Sequence, residues 1–219
     1  MFSAEHFLEL VIMGWLSNVP LGIGSILTLT IFFDRAWNFR GKEKASRELA
    51  SQVIESLLQR DLEGARRFCK RSKLPIAGML LEGLGWQNVT PEDLDRVFAT
   101  QRAELSHGMR RGLWIIGTTG SLAPYIGLFG TVVGIIRAFA TLADSGQGGF
   151  AVVSASLSEA LIATAAGLGV AITALTLFNY LQVRVTALNG VYARSSERLV
   201  QALIYVESTA GTAGQSREP

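Results

Sequence analysis

Apolar residues gather in three long runs, at about 8–33, 113–141 and 158–182, separated by charged or short polar stretches. Each exceeds the roughly 20 residues that a helix needs to cross a bilayer, so the pattern predicts three transmembrane helices. The first run contains Glu9, Asn18 and Pro20, which predicts a kink or an interfacial start. Along the second, Gly117, Gly120, Pro124, Gly127, Thr131, Gly134 and Ala138 follow one another at steps of three and four. Such steps keep residues on one side of a helix. A stripe of small residues lets helices approach closely, which is how helices associate in lipid. Gly130 and Gly134 form a small-xxx-small pair within that stripe. The chain is therefore expected to build a tightly packed membrane assembly.

The stretch 34–112 is polar and reads as helical. Leu49, Val53 and Leu57, with Ile54 and Leu58, form an apolar face amid charge, and Leu62, Ala65 and Phe68 continue it after Asp61. Pro75 and the surroundings of Gly78 and Gly85 mark breaks. Thr90-Pro91-Glu92-Asp93 is a helix start, with Thr as N-cap, Pro in the first turn and acids against the dipole. No proline follows until Pro124. One helix is thus expected from Pro91 through the second span, about 75 Å long at 1.5 Å per residue. The loop 142–157, with Gly146, Gly148 and Gly149, is expected to be short and flexible. The end, Ser208 to Pro219, is small and polar and is expected to be disordered.

Charge orients the spans. Fifteen Lys and Arg lie within 34–112, and Arg184, Arg194, Arg198 and Arg217 follow the third run. Residues 1–33 and 142–157 carry none. The positive-inside rule then puts the N-terminus outside, and 34–112 and the tail in the cytoplasm. The organisation expected is an N-out segment and first helix (1–33), a cytoplasmic helical region (34–112), a second helix (113–141), a periplasmic loop (142–157), a third helix (158–182), and a C-terminal helix and tail (183–219). The start lacks the basic region of a cleavable leader, so it reads as the first span.

Composition excludes more than it adds. Half of the residues are apolar and the net charge is only +2, which predicts a membrane protein without a nucleic-acid partner. One cysteine, Cys69, and two histidines, His6 and His107, make neither an intrachain disulfide nor a metal cluster. Phosphate loops, zinc-protease motifs, nucleophile elbows and dinucleotide fingerprints are absent. No enzymatic activity, metal or cofactor is expected.

A few residues remain for chemistry. Glu159 opens the third span and has two readings: an intramembrane carboxylate facing a bundle interior or wet cavity, or a helix-start acid on the dipole. Thr131 and Thr164 lie deep in their spans. Each can bond back to its own turn or serve as a hydroxyl on a polar path. Arg137 can snorkel to the interface or pair with Asp144 or Glu159. With only Glu9 and Glu159 as acids in the spans, a complete conduction path would need an acid from another chain.

Two segments carry a resemblance. Ala123 to Phe139, APYIGLFGTVVGIIRAF, resembles the second span of the ExbB/TolQ proton-channel family, and Ser158 to Ile172, SEALIATAAGLGVAI, resembles its third. Asn179-Tyr180 sits where that family has an Asn-Tyr pair. The resemblance in residues covers about 112–182; elsewhere it is one of architecture. It implies an all-α homopentamer around a central pore, with an ExbD/TolR-like single-span partner in the pore whose Asp carries the proton. It also implies a TonB- or TolA-like protein driven by proton-motive force. By motif, the pore positions fall on Thr131, Glu159 and Thr164. The sequence departs from the family at Ala171-Ile172-Thr173-Ala174, where many members have a proline. Gly-Leu-Phe-Gly at 127–130 leans toward TolQ. The competing readings are a flagellar, MotA-like stator subunit, a family with four spans, and a non-conducting scaffold.

Overall fold

The computed structural model describes residues 15–86, 90–145 and 150–215. Seven helices and no strand occur among them: α1 (Trp15–Phe39), α2 (Lys42–Leu58), α3 (Leu62–Arg71), α4 (Pro75–Gly83), α5 (Pro91–Arg110), α6 (Leu113–Ser145) and α7 (Phe150–Gln215). Glu9 and Gly146, Gly148 and Gly149 lie outside the described residues, as do Arg217 and the rest of 216–219. Three of these helices, α1, α6 and α7, are long and apolar enough to cross a membrane. The chain divides into two compact units, one of residues 1–35 and 112–181, the other of 36–111 and 182–219.

In the first unit, α1, α6 and α7 pack through small residues. The buried positions of α7 here include Ala160, Ala163, Ala171 and Ala174, with Leu181 at the end of the unit and Gly167 in register among the alanines. A Cβ added to Gly117, Gly120, Gly127 or Gly134 would meet, in turn, Phe178, Leu175, the backbone of Ala163, Thr164 and Gly167, and Ala160. Ascending residues on α6 thus meet descending residues on α7, so the two helices run antiparallel with the stripe at their seam. Against α1, Gly24 faces Thr119 and Gly130 faces Ser17. Leu21, Ala123 and Ala171, flanked by Ile126 and Val170, form a shared core. Pro20 and Pro124 both sit inside helices.

In the second unit, buried side chains are large. Val53, Ile76, Met79, Leu80, Leu84, Phe98, Leu188, Tyr192 and Leu199 are almost wholly enclosed. Asp61 caps α3 by accepting from the Gly64 amide at 2.8 Å. Thr90 caps α5 through the Asp93 amide at 3.2 Å. Helix α5 lies along the C-terminal part of α7. Arg102 donates to Ser196 at 3.0 Å, Asn189 to Ser106 at 3.0 Å, and Arg110 to Gln182 at 3.3 Å.

Four expectations need correction. The single helix from Pro91 is broken, because Gly112 adopts φ +84°, a left-handed conformation that favours glycine, between α5 and α6. The uninterrupted helix is instead α7. It runs to Gln215, so Ser208–Gln215 is helical rather than disordered; Ser208 and Thr209 bond back to the Tyr205 carbonyl. Most of 142–157 is helical too, since α6 reaches Ser145 and α7 starts at Phe150. Leu58 and Phe68 are exposed rather than core, and buried Cys69 takes the place expected for Phe68.

Candidate functional site

The first unit holds a pocket of about 260 Å³ lined by all three apolar helices. Its polar lining is Ser17 and Asn18 from α1, Arg137 and Thr141 from α6, and Ser156 and Glu159 from α7; Gly130, Gly134, Phe129, Val133, Ala160 and Ala163 complete the wall. Helical spacing assembles it. Thr141 follows Arg137 by four residues and Ser156 precedes Glu159 by three, so each pair shares a face. Glycine makes the room: a Cβ on Gly130 would lie 2.7 Å from the Ser17 hydroxyl, and one on Gly134 would lie 2.7 Å from the Ala160 Cβ.

Glu159 is half-buried and belongs to this pocket. Its neighbours in the lining come from all three apolar helices. The Arg137 guanidinium lies near enough to act electrostatically on its carboxylate. Arg137 is a wall residue of the same pocket. The Asp144 side chain lies outside the described residues.

Below the pocket, α6 and α7 reach their closest approach. A Cβ on Gly167 would lie 2.6 Å from the Ala123 carbonyl oxygen and 3.0 Å from the Gly127 Cα. At this crossing Thr164 donates its hydroxyl proton to the Gly127 carbonyl across the two helices, at 2.9 Å. Thr131 instead donates to Leu128 of its own helix, at 2.6 Å. Thr141, Thr173 and Thr176 do the same to carbonyls four residues back. The two threonines singled out from the sequence are thus differently placed, and Thr131 does not line the pocket. Gly117, Gly120, Gly127, Gly130 and Gly134 all lie at seams between helices of the one chain; Ala138 is buried and Pro124 is half-buried.

Sequence reasoning missed Gly167, Ser17, Thr141 and Ser156. Gly167 was legible as the middle of an Ala160–Ala163–Gly167–Ala171–Ala174 stripe on the third span, facing the stripe on the second. Ser156 and Thr141 were legible as helical neighbours of the two charges. Ser17 was not, because only folding tells which side of α1 meets Gly130.

The comparisons agree with this architecture. Residues 71–193 match the family described as the MotA/TolQ/ExbB proton channel family. The biopolymer transport protein ExbB-like 1 of Synechocystis sp. is 36% identical over 184 residues, covering 82% of this chain and 72% of that protein. The biopolymer transport protein ExbB of Pseudomonas putida is 27% identical over 224 residues, 98% of this chain and 64% of its own length. The Tol-Pal system protein TolQ of Haemophilus influenzae is 47% identical over 77 residues, 35% of this chain and 34% of its own. With a family match over more than half its length and three apolar helices packed through small residues, this multi-pass membrane protein belongs to the MotA/TolQ/ExbB proton channel family.

Proposed function

We propose that this protein is the channel-forming stator subunit of an inner-membrane motor that turns proton-motive force into mechanical work on a periplasmic partner. The observation that carries the reading is Glu159, an ionisable side chain that shares a pocket with Arg137 among three apolar helices. Intramembrane acids are costly, and they mark ion and proton pathways. The relatives named ExbB and TolQ, and the family's description as a proton channel, support the same reading.

In this reading five copies surround a pore that holds single-span helices of an ExbD/TolR-like partner. The Lys- and Arg-rich stretch 34–112 faces the cytoplasm and the N-terminus faces the periplasm. Five Glu159 carboxylates form a ring that concentrates protons near the outer mouth. Thr164 keeps both lone pairs of its hydroxyl free to accept while its proton is held on the Gly127 carbonyl, and Thr131 does the same over Leu128. Each proton crossing 100 mV releases about 2.3 kcal/mol. Protonation of an acid on the central helices changes which wall they prefer. Five walls around fewer helices keep that preference moving. A TonB- or TolA-like protein takes up the motion. A MotA-like stator would bring four spans, and three such helices occur among the described residues.

The experiment is energised growth or motility in cells carrying the cognate system, alongside a pull-down of the partner. Glu159→Ala is expected to assemble and bind the partner yet lose energised work, and Glu159→Asp to keep part of it. Full activity of Glu159→Ala with the partner bound would overturn the proton-path role and leave the scaffold reading.

A further inference from the structure

The pocket around Glu159 lies inside one chain, bounded by α1, α6 and α7. It extends from Thr141 and Ser156 down to Phe129 and Ala163, twelve residues along α6, or about 18 Å at 1.5 Å per residue. A volume of about 260 Å³ is room for about eight waters at ~30 Å³ each. An apolar cavity stays dry, but a buried water needs two to four polar partners. Six polar side chains from three helices supply them here. At the deeper end Ala160 and Ala163 are buried, and the Ser17 hydroxyl stands against Gly130 there. One turn below, the Gly127–Gly167 contact closes the seam, and the Thr164–Gly127 hydrogen bond lies at that closure.

We infer that this pocket is a water-filled vestibule within each subunit, which brings water and protons from the rim at Thr141 and Ser156 to Glu159 and to the closure at Thr164. The inference rests on the channel reading for the direction and use of the protons, but the wetness of the vestibule stands on the lining alone. It gives α1 a part in the channel: Ser17 and Asn18 form the wall that α6 and α7 leave open. It also gives Gly130 and Gly134 a second task beside packing, since their missing side chains are part of the space.

The test is cysteine accessibility in cells, with a charged, membrane-impermeant methanethiosulfonate reagent added outside. Asn18→Cys and Ser156→Cys are expected to react about tenfold faster than Ile136→Cys, which sits on the exposed apolar side of α6, because thiol reactivity follows access to water. Val133→Phe fills the pocket from its apolar wall. It is expected to slow labelling of Asn18→Cys and to reduce energised work while the partner is still pulled down. Labelling of Asn18→Cys as slow as Ile136→Cys would overturn the vestibule, and this readout needs no filling variant to fold. Slowed labelling with undiminished work in Val133→Phe would overturn its use by protons. The two readings fail separately. Fast labelling of Asn18→Cys with full activity of Glu159→Ala rejects the motor role and keeps the wet pocket. Slow labelling with an inactive Glu159→Ala rejects the vestibule alone.

Discussion

Thr131 and Thr164 satisfy their hydroxyls in different ways, and the difference sets what each substitution does. Thr164→Val removes a hydrogen bond that ties α7 to the Gly127 carbonyl of α6. It is expected to cost about 1 kcal/mol of stability and also to abolish energised work. Thr131→Val removes only a bond within its own turn, which Leu128 can lose at little cost. It is expected to leave stability unchanged and to have the milder effect on work. Thermal unfolding in detergent, measured beside energised growth, separates the two. Cys69 poses a different residue-scale question. It is buried on α3, and burial pushes its thiol up to about 11. The reactive thiolate is therefore scarce at neutral pH, and labelling by a permeant maleimide in the folded protein should stay slow below about pH 10 and rise above it. Fast labelling at pH 7 would show that the α3 region opens readily.

At the scale of the element, α7 changes character along its length. Its buried face carries Ala160, Ala163, Ala171 and Ala174 along the apolar span, and Val185, Leu188, Tyr192 and Leu199 in the second unit, with Leu181 at the boundary. Lipid gives no reward for burying a large apolar side chain, so the apolar span packs by close approach. Water does give that reward, at roughly 25 cal/mol per Å², so the polar unit packs with bulk. The stripe on α6 was legible from spacing alone, but its partner was not. The stripe meets α7 of the same chain, so Gly127→Leu should break the fold of the subunit before it touches any assembly. A matched pair of alanines tests this seam. Gly167→Ala puts a Cβ 2.6 Å from the Ala123 carbonyl, whereas Gly169→Ala meets nothing within 4 Å. Overpacking predicts a loss of about 2 kcal/mol for Gly167→Ala and none for Gly169→Ala, where the gain in helix propensity helps. Equal unfolding temperatures would show that the crossing has room for a methyl group.

For the whole molecule, the distribution of Lys and Arg predicts the orientation, and burial decides how to measure it. Silence of Cys69 toward an impermeant reagent would fit either orientation, because the side chain is buried. A cysteine at Arg67, whose side chain is 71% exposed, is the informative probe. It is expected to react only after the cells are opened, and a cysteine in the 146–149 segment to react in intact cells. The opposite pattern would reject the orientation. The exposed apolar side chains of the spans, among them Ile26, Phe33, Tyr125, Ile136, Leu161 and Ile172, are available to lipid and to further copies. Native mass spectrometry of the detergent-purified protein is expected to show five chains, and a stable monomer would reject the pentamer.

Length, hydropathy and charge along the sequence were enough for three helices able to cross a membrane and for helical caps such as Thr90, because these depend on residues near one another in the chain. The motifs at 123–139 and 158–172 were enough for the family. Folding alone decided the rest. The left-handed Gly112 divides α5 from α6, since glycine permits such a turn without requiring it. The pairing of Gly127 with Gly167 and of Thr164 with the Gly127 carbonyl joins residues 37 or more apart. The pocket that gathers Ser17, Asn18, Arg137 and Glu159 depends on how three helices are rotated about their axes. Spacing says which residues share a face of one helix; only packing says which faces meet.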